Sequence, residues 1–178
     1  MRGFVRECTR FSLCGLNCAL CTMQLGGYCP GCGGGEGNQS CRIARCSLEH
    51  GGVRFCSDCP DYPCPLYEGF DDADSFITHS ARRRDIEQAR ELGLETYLTQ
   101  LEERRAILDE LLRDYNDGRR KTLYSTAACL LSLGSLREAV EQLRSSEAPE
   151  SERAKLSAAL LNAAAAAEGQ SLKLRKKG

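Results

Sequence analysis

Apolar side chains recur with a helical period in the second half of the chain. The recurring positions are Leu94, Leu98, Leu101, Leu108, Leu112 and Tyr115. Steps of three, four and seven residues place these side chains on one face of a helix, which predicts a helix over residues 94–115. Arg105 interrupts this apolar stripe.

Shorter segments on either side of that stripe also predict helices. They cover residues 82–91, 119–133 and 151–168, and glycines follow three of the predicted helices, at Gly93, Gly134 and Gly169. The order of Ser135 and Glu138 is typical of a capping box, which predicts the start of a short helix that ends near residue 143. Residues 71–178 are therefore predicted to form an all-α helical bundle of four or five helices with a basic C-terminal tail.

The first part of the chain has a different composition. Eleven of the twelve cysteines lie between Cys8 and Cys64, and eleven of the seventeen glycines lie within the first 67 residues. A segment with many turns and few large apolar side chains needs a source of stability other than a conventional core. We therefore expect residues 1–70 to form a small metal-stapled cysteine-rich module with little regular structure, followed by the helical bundle of residues 71–178.

Charge and hydropathy exclude some classes of protein. The formal net charge is −1, so the chain as a whole has no electrostatic attraction to nucleic acid or to an anionic membrane. No apolar stretch reaches the roughly 18 residues that a membrane span needs, and charged residues interrupt the first eight positions. We expect a cytoplasmic protein with reduced cysteines, because disulfides persist mainly in oxidising compartments.

Ten cysteines follow spacings that are typical of metal ligands. They are Cys14-x3-Cys18-x2-Cys21, Cys29-x2-Cys32, Cys41-x4-Cys46 and Cys56-x2-Cys59-x4-Cys64. Two residues between two cysteines allow both sulfurs to bind one ion, so each such pair supplies half of a tetrahedral site. These ten are the predicted metal ligands, whereas Cys8 and Cys129 are predicted not to bind metal.

The number of thiols does not identify the metal. Eight thiolates complete two zinc sites or two [4Fe–4S] clusters, and either choice leaves two of the ten over. The knuckle at Cys29 favours Zn²⁺, with two ions, whereas the prolines after Cys59 and Cys64 are typical of iron–sulfur ligands and favour one or two [4Fe–4S] clusters. Zinc is the leading prediction. His50 could supply an additional ligand, and His79 is the weaker candidate.

The cysteine motifs resemble a known family. The four motifs are Cys14-Gly15-Leu16, Cys29-Pro30-Gly31-Cys32, Cys41-Arg42-Ile43-Ala44-Arg45-Cys46 and Cys56-Ser57-Asp58-Cys59-Pro60-Asp61-Tyr62-Pro63-Cys64. Over residues 14–66 they are similar, in order and in residue identity, to the motifs of the cysteine-rich family catalogued as the domain of unknown function numbered 3795. Many members carry a further cysteine shortly before the position of Cys41, which this chain lacks. The resemblance implies a metal-binding module of prokaryotes and carries no established activity.

The sequence contains no evident catalytic site, since it shows no Ser-His-Asp set, phosphate-binding loop or pair of carboxylates in a predicted pocket. We therefore expect a metal-binding accessory or interaction protein with a protein partner. An iron–sulfur protein for electron transfer or redox sensing is the alternative. A nucleic-acid binder is a second alternative, through the basic residues at 82–84, 119–121 and 173–177, although no aromatic side chains for base stacking lie among them.

Overall fold

The chain is all-helical in the computed structural model, which describes residues 3–35 and 41–176. Its helices are α1 (Thr22–Leu25), α2 (Arg42–Glu49), α3 (Arg82–Leu92), α4 (Leu94–Asp114), α5 (Lys121–Leu130), α6 (Leu133–Arg144) and α7 (Glu150–Ala167). Short 3₁₀ turns cover Cys18–Leu20, Cys56–Asp58 and Pro65–Tyr67. Within the described ranges no helix is long and apolar enough to cross a membrane.

Helices α3–α7 form the predicted bundle. The central helix α4 contacts α3, α5 and α6, and α7 packs against α5 and α6. The face of α4 that enters the core carries Leu101, Leu108 and Leu111, each nearly or fully buried. The helical period over residues 94–115 therefore predicted the extent of α4 to within one residue. It predicted the core face in part, because three positions of the predicted stripe are only partly buried, whereas Leu111, outside the stripe, is fully buried.

The predicted boundary between α5 and α6 is wrong. Helix α5 ends at Leu130, and α6 already begins at Leu133 and continues through Gly134. Ser132 caps α6, because its hydroxyl oxygen accepts a hydrogen bond from the Ser135 backbone N–H at 3.1 Å. The expected carboxylate comes from Glu168, which accepts from the Ser135 hydroxyl at 2.6 Å, and not from Glu138. A residue distant in sequence thus completes the cap.

The cysteine-rich segment packs into the same core as the helices. Phe11, Leu20 and Phe55 belong to one cluster of buried residues together with the apolar faces of α3–α7. The Phe11 ring centroid lies 4.8 Å from that of Tyr97 on α4 and 5.5 Å from that of Phe55. The change in composition near residue 70 therefore does not coincide with a gap in the core. The division into two domains stays a prediction.

Hydrogen bonds from three helices converge on residues 17–20. They run from Asn17 Nδ2 to Asp85 (2.7 Å), from the Tyr97 hydroxyl to Asn17 Oδ1 (3.0 Å), from Arg105 to the Ala19 carbonyl (3.0 Å) and from the Ser125 hydroxyl to the Leu20 carbonyl (2.6 Å). Arg105, which interrupts the apolar stripe of α4, therefore has a structural role at this contact. The turn that carries Cys18 is fixed against the bundle.

Candidate metal centre

Nine of the ten predicted ligands line two neighbouring cavities. The first cluster consists of Cys14, Cys18, Cys29, Cys32 and Cys41. The second cluster consists of Cys46, Cys56, Cys59 and Cys64. The tenth, Cys21, lines neither cavity and packs against the main core. It lies close enough to Cys18 to contribute to the raised pKa of the Cys18 thiol. The first cluster thus brings together thiols that lie up to 27 residues apart in the sequence.

Glycines allow the first cluster to form. Gly31 has a φ of +87°, and a Cβ atom there would lie 2.3 Å from the Thr9 carbonyl oxygen, so only glycine fits. The same carbonyl accepts a hydrogen bond from the Cys32 backbone N–H at 3.1 Å. The knuckle between Cys29 and Cys32 is therefore held directly against the N-terminal residues. The resulting cavity has a volume of about 190 Å³.

The second cluster combines one helix with two tight turns. Cys46 lies on α2, and the Cys59 backbone N–H donates to the Cys56 carbonyl at 3.0 Å, which closes the turn between these two thiols. Cys64 immediately precedes the 3₁₀ turn Pro65–Tyr67. The cavity that they share has a volume of about 20 Å³, which is close to the size that holds a single water molecule or ion.

Helix α2 separates the two clusters. Cys41 precedes its first residue and belongs to the first cluster, whereas Cys46 belongs to the second. Five residues along an α-helix correspond to a rotation of about 140°, so the two thiols point to different sides. Ile43 lies between them and contributes to both cavities. Cys41 and Cys46, which are neighbours in the sequence, therefore belong to different clusters. Their spacing of five residues along a helix could have indicated this separation.

Tyr67 lies between the clusters and contacts both. Its side chain is buried, and its hydroxyl donates to the Cys14 carbonyl oxygen at 3.4 Å and also bonds the Cys56 thiol. Burial raises the pKa of the Tyr67 hydroxyl, and the neighbouring Cys56 raises it further. Tyr67 therefore stays a neutral hydrogen-bond donor, which the sequence motifs did not indicate.

Three thiols of the first cluster, those of Cys14, Cys18 and Cys32, resist ionisation because they are buried. Burial raises the pKa of the Cys14 thiol and raises that of Cys18 well above its ordinary value, with a further contribution from neighbouring thiols. Hydrogen bonds oppose this effect most strongly. The Ser12 hydroxyl, 3.3 Å from the Cys14 sulfur, lowers the pKa of Cys14, and the Leu13 backbone lowers that of Cys32. The charges of Arg82 at Cys14 and of Arg6 at Cys32 act in the same direction, although burial still dominates at both positions.

The surroundings of the second cluster carry the opposite charge. Burial raises the pKa of Cys56 to about 12. At Cys46, burial is again the largest cause of a raised pKa, followed by the other thiols of the cluster and then by the carboxylates of Glu49 and Asp61. A divalent cation would stabilise the thiolates of both clusters.

The sulfurs of each cluster do not converge on a single point. Among the described residues, one set of three potential ligand atoms lies within 4.8 Å of one another, and it consists of His50, Cys59 and Asp61. Sulfurs bound to one tetrahedral zinc lie about 3.8 Å apart, because each Zn–S bond is about 2.3 Å. Coordination of a single tetrahedral ion by the thiols of either cluster would therefore require the sulfurs to move closer together.

The two histidines occupy different surroundings. His50 lines the second cavity, with its Nδ1 atom 2.9 Å from the Cys46 carbonyl oxygen and its Nε2 atom 3.5 Å from Asp61. Both ring nitrogens of His79 contact other groups, the Phe70 carbonyl at 3.1 Å and the Ser75 hydroxyl at 3.0 Å. His79 does not line either cavity.

Cys8 and Cys129, which were predicted not to bind metal, lie outside both clusters. Cys129 is buried in α5, where burial raises the pKa of its thiol. Cys8 is partly buried and packs against the main core.

Several basic residues of the predicted nucleic-acid surface are engaged within the protein. The side chain of Arg82 is buried, and Arg84 donates to the carbonyls of Cys129 (2.9 Å) and Leu130 (3.2 Å) at the end of α5. In the C-terminal tail, Arg175 binds the carboxylate of Asp74 at 2.7 Å. Lys177 lies outside the described residues.

Comparison of the chain with protein-family models, with curated proteins and with solved structures finds no match. The similarity to the family numbered 3795 therefore rests on the cysteine motifs alone.

Proposed function

We propose that this protein binds metal through two separate cysteine centres, one at each cluster. The observation that carries the proposal is the grouping of nine cysteines, from four sequence motifs, around two adjacent cavities. Free thiols pack as small apolar groups and have no physical reason to keep the spacing of metal ligands. Zinc is the leading candidate, since its four-sulfur sites occur in knuckles of this spacing.

Iron–sulfur clusters are the second candidate, and the spacing of the sulfurs favours them. No three of the cysteines, all of which are described, lie within 4.8 Å of one another. A cluster of several iron and sulfide atoms binds thiolates that are farther apart than the ligands of one zinc ion. The cavity of the first cluster, at about 190 Å³, has more room for such a group than the second.

In this proposal, the metal stabilises the cysteine-rich segment, and the protein acts as an accessory or interaction protein with a protein partner. Metal binding adds folding free energy because the ligands are brought together only in the folded chain. We place it in the cytoplasm, because thiols must be reduced to bind metal and disulfides persist mainly in oxidising compartments.

Metal analysis of the purified protein tests the proposal. The chain is produced and isolated without oxygen, and its zinc, iron and sulfide contents are measured together with its visible absorption. A colourless protein with two zinc ions per chain supports the zinc form, and a brown protein with iron and sulfide supports the second candidate. A folded protein with no bound metal, which also takes none up on titration, would contradict both.

A further inference from the structure

Arg82 is an unusual residue for the interior of a protein. Its side chain is completely buried, although arginine is among the residue types that are almost never fully buried without partners. Its Nε atom donates to Asp71, but both terminal nitrogens, Nη1 and Nη2, are buried and have no hydrogen-bond partner. Five donors on one guanidinium make such a group costly unless something satisfies it.

The groups around this guanidinium lie next to the first cluster. It lies between the rings of Tyr67 and Phe70, with distances of 4.2 Å and 3.9 Å from the guanidinium carbon to the ring centroids. The Phe70 ring and the Cys14 thiol line the same cavity. The backbone of Arg82 also lies against Gly15, where a Cβ atom would be 2.2 Å from the Arg82 carbonyl oxygen. Close packing thus fixes Arg82 next to Cys14.

Asp71 does not fully neutralise this arginine. The Asp71 carboxylate also pairs with Arg83 at 3.3 Å, so one negative charge serves two guanidinium groups. Arg82 and Arg83 together with Asp71 keep one net positive charge. Because Arg83 is 54% exposed, water stabilises its charge, whereas water does not reach the terminal nitrogens of Arg82.

A second arginine reaches the same cluster from the other side. Arg6 donates to the backbone carbonyls of Cys8 (2.8 Å) and Phe11 (2.9 Å), which hold its side chain in place. It lies against Gly33, the residue after Cys32, because the Arg6 backbone N–H donates to the Gly33 carbonyl at 3.2 Å and a Cβ atom on Gly33 would be 2.8 Å from the Arg6 Cγ atom. Its Nε atom is buried without a partner. At the second cluster the neighbouring charged groups are instead the carboxylates of Glu49 and Asp61.

We propose that Arg82 and Arg6 are positioning residues that neutralise the first metal centre and donate hydrogen bonds to its thiolates. This inference rests on the proposed function. A divalent ion with four thiolate ligands carries a net charge of −2, which two guanidinium groups balance. Hydrogen bonds to ligand sulfurs also tune the electronic properties of a metal centre. The buried donors of Arg82 would then find their partners when metal binds.

The test compares metal affinity at one cluster at a time in the full-length chain. Cys59→Ser removes the second site and leaves the first, and Cys32→Ser does the reverse. Co²⁺ is titrated into each variant, with and without Arg82→Gln, and zinc affinity is measured by competition. We expect Arg82→Gln to lower affinity at the first cluster by about 10- to 100-fold and to leave the second cluster unchanged. The thiolate-to-cobalt absorption band of the first cluster should shift as well.

Two further variants separate this role from a purely structural one. Arg113→Gln removes an exposed guanidinium that pairs with Asp114 and lines neither cavity, and we expect it to leave both affinities unchanged. Arg82→Lys keeps the charge and loses the planar fork, so we expect a smaller loss of affinity with the same direction of band shift, and it serves as the test if Arg82→Gln fails to fold. Circular dichroism reports the fold of each variant.

The outcomes distinguish this inference from the proposed function. If the Cys59→Ser chain binds no Co²⁺ at all, the proposed first metal centre is wrong, and the inference fails with it. If it binds Co²⁺ and folded Arg82 variants bind it equally well with an unchanged spectrum, only the role of Arg82 is contradicted. Equal losses at both clusters would likewise show that Arg82 acts through general stability.

Discussion

The two cysteine clusters lie next to each other but differ in how the chain holds them and in the charges that surround them. Residues 17–20, next to the first cluster, donate a hydrogen bond to α3 and accept hydrogen bonds from α4 and α5, and the charges of two arginines act on Cys14 and Cys32. The second cluster lies on α2 and two turns, and its charged neighbours are Glu49, Asp61 and the exposed His50. Similar spacings in the sequence thus produce two different environments.

The packing and charges around a thiol therefore determine its environment as much as its spacing in the sequence does. The first cluster adjoins the main core through the turn Cys18–Leu20, in which Leu20 is fully buried. Of the second cluster, Cys56 packs against both apolar clusters and Cys64 only against the smaller one, whereas Cys46 and Cys59 belong to neither. Loss of metal from the first cluster should therefore reach the helices, and loss from the second should stay more local.

The largest expected effect distinguishes the clusters by stability. Cys18→Ser should remove the first metal and lower the free energy of unfolding of the whole chain by an amount on the order of several kcal/mol, because the Cys18–Leu20 turn is part of the shared core. Cys59→Ser should remove one metal and leave the thermal unfolding of the helices nearly unchanged. Circular dichroism at 222 nm measures both, and Cys8→Ser is the control. Equal effects of the two ligand variants would remove the distinction.

A large effect is also expected from the core that joins the first cluster to the helices. Leu20 is fully buried, and Leu20→Ala should lower the free energy of unfolding by about 2–5 kcal/mol through lost burial and a cavity. Leu48→Ala, at a position that is 44% exposed, should change it by less than about 0.5 kcal/mol. Chemical denaturation compares them. A small loss for Leu20→Ala would show that the two parts of the chain unfold independently.

A smaller effect tests how the first cluster is positioned. Tyr97→Phe removes the hydroxyl that donates to Asn17 Oδ1 and leaves that buried oxygen with one donor fewer. We expect a loss of about 1 kcal/mol in unfolding free energy, with weaker metal binding at the first cluster alone. Competition titrations with a coloured chelator, in the Cys59→Ser and Cys32→Ser chains, resolve the two sites. Weaker binding at the second cluster instead would contradict the assignment.

The smallest expected effect is a pH dependence at Asp85, which bonds Asn17. Burial raises the pKa of this carboxyl from 3.8 to about 6, and Arg84 opposes the shift. The folded chain therefore binds a proton more readily than the unfolded chain, so the stabilising contribution of Asp85 is complete below about pH 4 and is lost as the pH rises through 6. Unfolding of the wild type and of Asp85→Asn at several pH values measures it. A difference that does not change with pH would contradict the raised pKa.

The sequence was sufficient for much of the fold because the information was local. The period of the apolar residues predicted α4 almost to the residue, and the same pattern located α3 and α7. The cap of α6 could not be predicted, because Glu168, its carboxylate partner, lies 36 residues after Ser132 and only tertiary packing brings them together. The shared core was missed for the same reason, since Phe11 and Leu20 stand isolated among glycines and cysteines.

The candidate site was predictable in its chemistry and not in its arrangement. Spacing identified the cysteines, but their division between two cavities depends on α2 and on the way the turns pack. Arg6, Arg82 and Tyr67 carry no motif, and their contacts with the thiols arise only when distant segments meet.

We propose that the chain holds two metal centres with separate sets of thiol ligands. Anomalous X-ray diffraction at the metal absorption edge, on crystals of the metal-loaded protein, tests it most directly. We predict two anomalous peaks, one among the five thiols of the first cluster and one among the four thiols of the second cluster. A single peak that draws ligands from both clusters, or a peak at His50, Cys59 and Asp61 without the remaining thiols, would contradict this account.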